Sequence, residues 1–222
     1  MFLWRLTKII AIVATAIAVV AVFAFPVAPL AQGMRGSGGP SARSGEAVGG
    51  VVGTVDSGVS TSSFAVLTST GQKVTVQEVS STEYRKGTNS TSASTITKGD
   101  RVLVLGIVNG PTITASHVIV QSASGGGPAT SSAIGVVPFQ RGAPSAAKQV
   151  GQVPANYSQG SGTIVGGTEA NKATEVALAC YPGGIVDRVV ELNNGEYEVH
   201  NIGVNWPHHI FVSNDFKVVG AF

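Results

Sequence analysis

The chain has 222 residues, of which 43% are hydrophobic and 12% are charged, and its formal net charge is +2. An average globular protein has about 25% charged residues, so the low share here favours β structure joined by polar segments. Arg5 and Lys8 account for the net charge, so charge gives no indication of nucleic-acid binding. With one cysteine, Cys180, an intrachain disulfide is excluded.

Residues 1–31 have the pattern of a targeting segment. Arg5 and Lys8 precede an almost wholly apolar run over residues 9–25. A positive start before an apolar run is typical of a secretory signal, and the same run can remain as a helical membrane anchor. We therefore keep two alternatives, a cleaved signal peptide and an uncleaved N-terminal apolar helix. Both place the rest of the chain outside the cytoplasm, either secreted or held at the membrane.

Residues 32–47 are a predicted flexible spacer, and residues 48–121 are a predicted all-β domain. Gly53 and Gly106 fall inside strands, where glycine allows a sheet to bend. The pattern predicts five to six short strands in a small barrel. The candidate strands are residues 48–55, 63–68, 73–77, 101–108 and 112–121. The arrangement resembles the OB-type barrel and a recurrent bacterial extracytoplasmic domain of unknown function, which shares its Lys98-Gly99-Asp100 turn.

The predicted barrel lacks the features of a nucleic-acid-binding surface. OB-type domains that bind nucleic acid combine a basic groove with stacking aromatic side chains. Residues 48–121 contain five basic and four acidic residues, and their only aromatic residues are Phe64 and Tyr84. We therefore expect no nucleic-acid partner.

Residues 122–167 form a predicted low-complexity linker, and residues 168–222 form a predicted small α+β domain. Apolar residues at helical spacing follow Thr168, and a Pro-Gly-Gly sequence at residues 182–184 ends the helix. Four short strands follow, so one helix on a four-stranded antiparallel sheet is expected. The candidate strands are residues 185–192, 196–202, 207–213 and 216–222.

The C-terminal region resembles the PepSY domain in the order and spacing of its motifs. These motifs are an alanine-rich helix, the Pro-Gly-Gly break, a strand with Tyr197 and Val199, and a final strand ending in Val-Val-Gly at residues 218–220. The sequence departs from the usual pattern at residues 206–209. The resemblance implies a non-catalytic role. In peptidase propeptides such modules assist folding of the partner enzyme or inhibit it.

The predicted outer face of this sheet supplies the candidate site residues. If Tyr197 and Val199 face the core, then Glu198, His200 and His209 lie on the opposite side. Imidazole and carboxylate groups suit zinc or copper, so these three residues are metal-site candidates. The alternative is an ordinary polar face, because two or three ligands are fewer than the four of a structural site. The candidates for partner binding are Trp206, His209 and Phe211.

No motif of a known catalytic site is present in the sequence. It contains neither G-x-S-x-G nor H-E-x-x-H, and it has no paired carboxylates beside a base. The sequence therefore predicts a non-enzymatic binding or accessory protein of the bacterial cell envelope. It needs no cofactor and acts on a protein partner through the PepSY-like region. The alternatives are a trans-acting peptidase inhibitor or propeptide-like chaperone, and a surface metal-binding protein.

Overall fold

The computed structural model of the protein describes residues 47–57, 62–121 and 149–222. The first two ranges contain six strands and a short 3-10 helix at Ala93–Thr95. The strands are β1 (Val48–Ser57), β2 (Ser63–Leu67), β3 (Lys73–Lys86), β4 (Asn89–Ser90), β5 (Arg101–Asn109) and β6 (Thr112–Gln121). Gly110 connects β5 to β6 at a φ of 58°, as expected for the glycine of an Asn-Gly hairpin turn.

Five of these strands form a closed path through the sheet. β1 pairs with β2 and β5, β3 pairs with β2 and β6, and β5 pairs with β6. Only the β3–β6 pair is parallel in this path. The strands surround a buried cluster rich in valine. Gly106 is needed here, because a Cβ atom at this position would lie 2.0 Å from the Thr114 carbonyl oxygen.

The third described range contains one helix and six further strands. They are β7 (Val150–Gly151), β8 (Thr163–Val165), α1 (Gly167–Cys180), β9 (Ile185–Glu191), β10 (Tyr197–Ile202), β11 (His209–Val212) and β12 (Val218–Ala221). Strands β9 to β12 form an antiparallel meander. We call β7 to β12 the C-terminal sheet.

The prediction of a small OB-like barrel plus a separate α+β domain is wrong, because all twelve strands belong to one mixed sheet. β1 joins the two regions by pairing Gly50 with Val186 and Val51 with Ile185. A Cβ atom at Gly49 would lie 1.9 Å from the Val186 carbonyl oxygen. The glycines of β1 therefore allow β9 to approach an edge that the sequence pattern assigned to the barrel alone.

Two side chains of the β2–β3 turn strengthen this junction. The Thr70 hydroxyl donates a hydrogen bond to the Gly183 carbonyl oxygen at 2.6 Å. The Gln72 side-chain amide donates one to the Gly203 carbonyl oxygen at 2.5 Å. Both bonds satisfy backbone oxygens in loops of the C-terminal region, so the closed path and the C-terminal sheet form one body.

Helix α1 covers one face of the C-terminal sheet, which we call the helix face. Alanine side chains let the helix lie close to the strands, and the apolar side chains that face the sheet are fully buried. They are Ala170, Ala173, Ala177 and Leu178. They pack on apolar residues of the meander, among them Val189, Val199 and Ile210. This is the core that the helical spacing of the sequence predicts.

The other face, which we call the strap face, is covered by residues 149–166, which we call the strap. The strap lies within the predicted linker of residues 122–167, of which residues 122–148 are outside the described part. β7 pairs with β12 at one edge of the meander and β8 pairs with β9 at the other. The strap therefore flanks both edges of the meander, and its side chains pack on the strap face between them.

The predicted N-terminal apolar helix lies in residues 1–46, outside the described residues. Within residues 47–57, 62–121 and 149–222, no helix is long and apolar enough to cross a membrane.

Candidate functional site

The candidate site is a row of polar side chains across the strap face. Arg188 on β9, His200 on β10 and His209 on β11 occupy directly opposed positions in the strand register. His200 Nδ1 donates a hydrogen bond to the Asp187 carboxylate at 2.6 Å, and Arg188 contacts the same carboxylate at 3.2 Å. These side chains are half-buried, so the row leads from solvent at β9 into the interior at β11.

The interior end of the row is a buried acid–imidazole pair. His209 Nδ1 donates to Glu198 Oε1 at 2.6 Å, and the two side chains are 6% and 1% exposed. The Tyr157 hydroxyl oxygen of the strap lies 3.0 Å from the same His209 nitrogen. Burial of ionisable groups is costly unless they are paired and hydrogen-bonded. The strap removes both groups from solvent, and their mutual hydrogen bond offsets the cost of that burial.

Tyr157 is the side chain through which the strap contacts this pair. Its ring packs edge-on against Phe211, with centroids 4.8 Å apart. Burial, and then the negative charge of Glu198, raise the pKa of the Tyr157 phenol. The hydroxyl therefore remains protonated and can act as a hydrogen-bond donor, and it is unsuited to act as a nucleophile.

The residues predicted as metal-site candidates lie close together, but the Nδ1 atom of each histidine is already hydrogen-bonded to a carboxylate. His200 and His209 have ring centroids 5.2 Å apart, and each Nδ1 contacts a carboxylate. Glu198 is one of those carboxylates, so it supports an imidazole. In the part of the chain that the structure describes, no group of three or more His, Cys, Asp or Glu residues is arranged to hold a metal ion.

Comparisons with known proteins identify no relative of this chain. No protein-family model, no curated protein and no solved structure matches this chain. The resemblance to the PepSY domain therefore stays a prediction from sequence motifs.

The predicted partner-binding candidates occupy two different environments. His209 and Phe211 are buried beneath the strap. Trp206 packs against the apolar cluster of the helix face, with its ring edge-on to Tyr181 at 5.5 Å between centroids. His209 and Phe211 are therefore accessible to a partner only where the strap is displaced, and Trp206 contributes to the core.

The side chains of the strap are only partly buried. On the strap face its apolar contacts are made by Val153, Tyr157 and Ile164, while Val150 and Val165 pack against the helix-face cluster, and none of residues 149–166 is fully buried. An open cavity of about 430 Å³ lies between the strap and the β9–β10 hairpin, lined by Asn156 on one side and Asn193 on the other. The cover on this face is thus thinner and less well packed than α1 on the opposite face.

The sequence pattern missed Tyr157 and Asp187 as site residues. Tyr157 is the one aromatic residue of residues 149–166, which was the available signal. Asp187 was visible only as a charge on a strand. Its partner His200 is 13 positions away along the chain, so strand pairing brings them together.

A second string of polar side chains lies on the closed path. Ser116 Oγ is 3.0 Å from His117 Nδ1, and His117 Nε2 is 3.5 Å from the Glu83 carboxylate. Ser116 is the extra residue of a β-bulge, since Leu105 pairs with His117 and Gly106 with Ala115. The Ser116 hydroxyl donates to the Leu105 carbonyl oxygen. Its proton therefore stabilises the bulge and is not directed towards the imidazole, as nucleophilic activation would require.

Proposed function

We propose that this chain is a non-enzymatic binding or accessory protein of the bacterial cell envelope that acts on a protein partner through its C-terminal sheet. The observation that carries the proposal is the composition of the strap face. An aromatic ring and an acid–imidazole pair are buried there under a segment that is itself never fully buried. Aromatic residues with a few well-placed polar groups are typical of recognition surfaces.

The chemistry of the described nucleophile candidates supports a non-catalytic role. Burial raises the pKa of the Cys180 thiol to about 11, and burial likewise raises the pKa of Tyr157 and Tyr181. Activation of a nucleophile requires a lowered pKa or an adjacent base. These groups therefore stay protonated at neutral pH.

Site-specific photocrosslinking tests the proposal. A photoreactive phenylalanine analogue is placed at Asn156 or Asn193, both exposed beside the cavity, and at Val79 on β3 as the matched control. The full chain is produced in the bacterium that naturally makes it, the intact cells are irradiated, and the crosslinked products are identified. We expect one protein to be captured at Asn156 or Asn193 and not at Val79.

Each outcome of the crosslinking separates the alternatives. Capture of a peptidase would favour the inhibitor or chaperone alternative, to be checked by its inhibition in a purified assay. Capture only at Val79 would move the function to the closed path. Absence of any captured protein at all three positions would contradict a protein-binding function.

The metal-binding alternative keeps one supporting observation. Metal-binding histidines commonly donate their other ring nitrogen to a carboxylate, as His200 and His209 both do. Zinc titration of the full chain by calorimetry tests it, with His200→Ala as control. Heat of binding that is unchanged in the control would reject this alternative.

A further inference from the structure

The strap lies on the meander as a bound peptide would lie on a receptor. It adds a short strand to each edge, with two paired residues at β12 and three at β9. Between these strands it places a few apolar side chains on the strap face. Strand addition at a sheet edge with side-chain pockets beneath it is a recurrent mode of peptide recognition.

The strap is less deeply buried than the surface that it covers. Phe211, Val190 and Glu198 beneath it are at most 1% exposed. The strap itself turns through Gly160 and Gly162, which have φ values of 84° and 99°. Glycines in such conformations lose much conformational entropy on ordering. The apolar gain is therefore opposed by a substantial ordering cost in the strap.

We propose that the strap face is a binding surface for an extended peptide of a partner protein, and that the strap occupies this surface in cis as its stand-in. The proposal rests on the protein-binding function proposed above and names the partner as a tyrosine-bearing segment. The strap defines the pattern of that segment. An apolar residue occupies the position of Val153, a tyrosine that of Tyr157, and an aliphatic residue that of Ile164.

The tyrosine position gives the surface its specificity. The pocket pairs an apolar wall from Phe211 with the polar Glu198–His209 pair, so it suits a ring that carries a hydroxyl group. A phenylalanine would fill the apolar part and leave the polar groups without that contact. Sites that hydrogen-bond a hydroxyl group discriminate against the analogue that lacks it, because that hydrogen bond is then lost.

A partner peptide has to compete with a tethered segment. The strap runs directly into α1, which begins at Gly167, so its local concentration at the strap face is high. Binding is therefore visible only where the partner segment fits better than the strap or where the strap is weakened. An experiment therefore has to control whether the strap is bound to the strap face or displaced from it.

A reversible crosslink can hold the strap in place. Thr163 and Glu191 are opposed in the β8–β9 register and both are exposed. Opposed residues of antiparallel strands have Cα atoms about 4.5–5.5 Å apart, within disulfide range. Thr163→Cys with Glu191→Cys therefore locks the strap when oxidised and frees it when reduced. The native Cys180 is buried and does not take part.

The probe is a synthetic fluorescent peptide carrying residues 149–166, and a scrambled peptide is the control. The peptide is titrated into three forms of the full chain: the oxidised lock, the reduced lock and the strap-weakened form. The full chain is kept in detergent because of its predicted N-terminal apolar segment. The strap-weakened form carries Tyr157→Ala and Ile164→Ala. We expect the strap-weakened form to bind the peptide at least about tenfold tighter than the unaltered chain. The lock is made in the strap-weakened chain, and we expect no binding when it is oxidised and binding when it is reduced. A peptide with phenylalanine at the Tyr157 position is expected to bind about tenfold more weakly.

Equal binding to the oxidised and reduced lock would overturn the proposal, as would a folded strap-weakened chain with no gain in affinity. If the strap-weakened chain fails to fold, the lock combined with the milder change Tyr157→Phe decides in its place. The same forms separate this inference from the proposed function. Partner capture at Asn193 that is equal in both redox forms removes only the strap inference, whereas peptide binding without any partner capture removes only the proposed function.

Discussion

The two faces of the C-terminal sheet are covered by different kinds of structure. On the helix face, a regular helix buries mainly apolar side chains against valines and isoleucine, together with the polar side chain of Thr174. On the strap face, an irregular segment with no fully buried residue covers an aromatic ring and an acid–imidazole pair. The first arrangement is a regular helix on an apolar core, and the second has the composition of the binding surface proposed above.

The difference shows how one strand can serve two purposes. In β10, Tyr197 and Val199 belong to the helix-face cluster, while Glu198 and His200 point to the other side. Alternation along a strand separates these roles at single-residue spacing. Stability and recognition can therefore be tested by substitutions at neighbouring positions.

The largest effect is expected from breaking the buried pair. His209→Leu leaves the Glu198 carboxylate buried without its imidazole partner, which we expect to lower the free energy of unfolding by about 3–5 kcal/mol. Urea denaturation of the full chain measures this. Replacing both residues by leucine removes the unpaired group, so the double variant should recover most of the loss.

The neighbouring position on the helix face provides the matched control for that pair. Ile210→Val removes one methylene group from a fully buried side chain and should cost about 1 kcal/mol. If His209→Leu costs no more than Ile210→Val, or if the double variant loses the sum of its single changes, the pair is not a coupled buried unit.

A smaller effect is expected at the tyrosine of the strap. Tyr157→Phe removes the hydroxyl that lies 3.0 Å from His209 and should cost about 1 kcal/mol. Tyr197→Phe is the control on the helix face, where that ring stacks on Phe216 and should change stability by less than about 0.5 kcal/mol.

Amide hydrogen exchange localises the effect of the Tyr157 change. We expect faster exchange at the paired residues of β7 and β8 in Tyr157→Phe, with exchange in α1 unchanged. Equal acceleration in the strap and in α1 would show that the two covers open together, and the contrast between the two faces would fail.

The sequence pattern predicted individual elements well where one face of an element is apolar. The helical spacing of Ala173, Val176, Ala177 and Cys180 predicted the buried side of α1, and all but the half-buried Val176 are buried. Alternation placed Tyr197 and Val199 on the core side of β10. These are local patterns with a fixed period, so a single sequence contains them.

Long-range pairings were not predictable in the same way. Val51 pairs with Ile185 across more than a hundred residues, and nothing in either strand distinguishes this edge from any other. The strap was predicted as a linker because glycine and serine are typical of linkers. The same glycines are what an irregular cover with positive φ angles requires, so composition cannot separate these two uses.

The smallest effect, one of reactivity, is expected at Cys180 on the helix face. Burial raises the pKa of its thiol to about 11, so at pH 8 about one thiol in a thousand is ionised. Alkylation by iodoacetamide in the native state should therefore be slow and should rise about tenfold per pH unit up to pH 11. The unfolded chain releases this proton at lower pH, so the thiol's contribution to stability is lost as pH rises from about 9 to about 11.

A thiol on the strap is the matched comparison for Cys180. Thr163→Cys, made with Cys180→Ala, places the thiol at an exposed position of β8 and should be alkylated at the rate of an ordinary cysteine. The helix face buries its thiol in the core, whereas the strap thiol is exposed to solvent. Rapid alkylation of native Cys180 at pH 8 would mean that the helix cover opens locally, and the contrast between the two faces would fail.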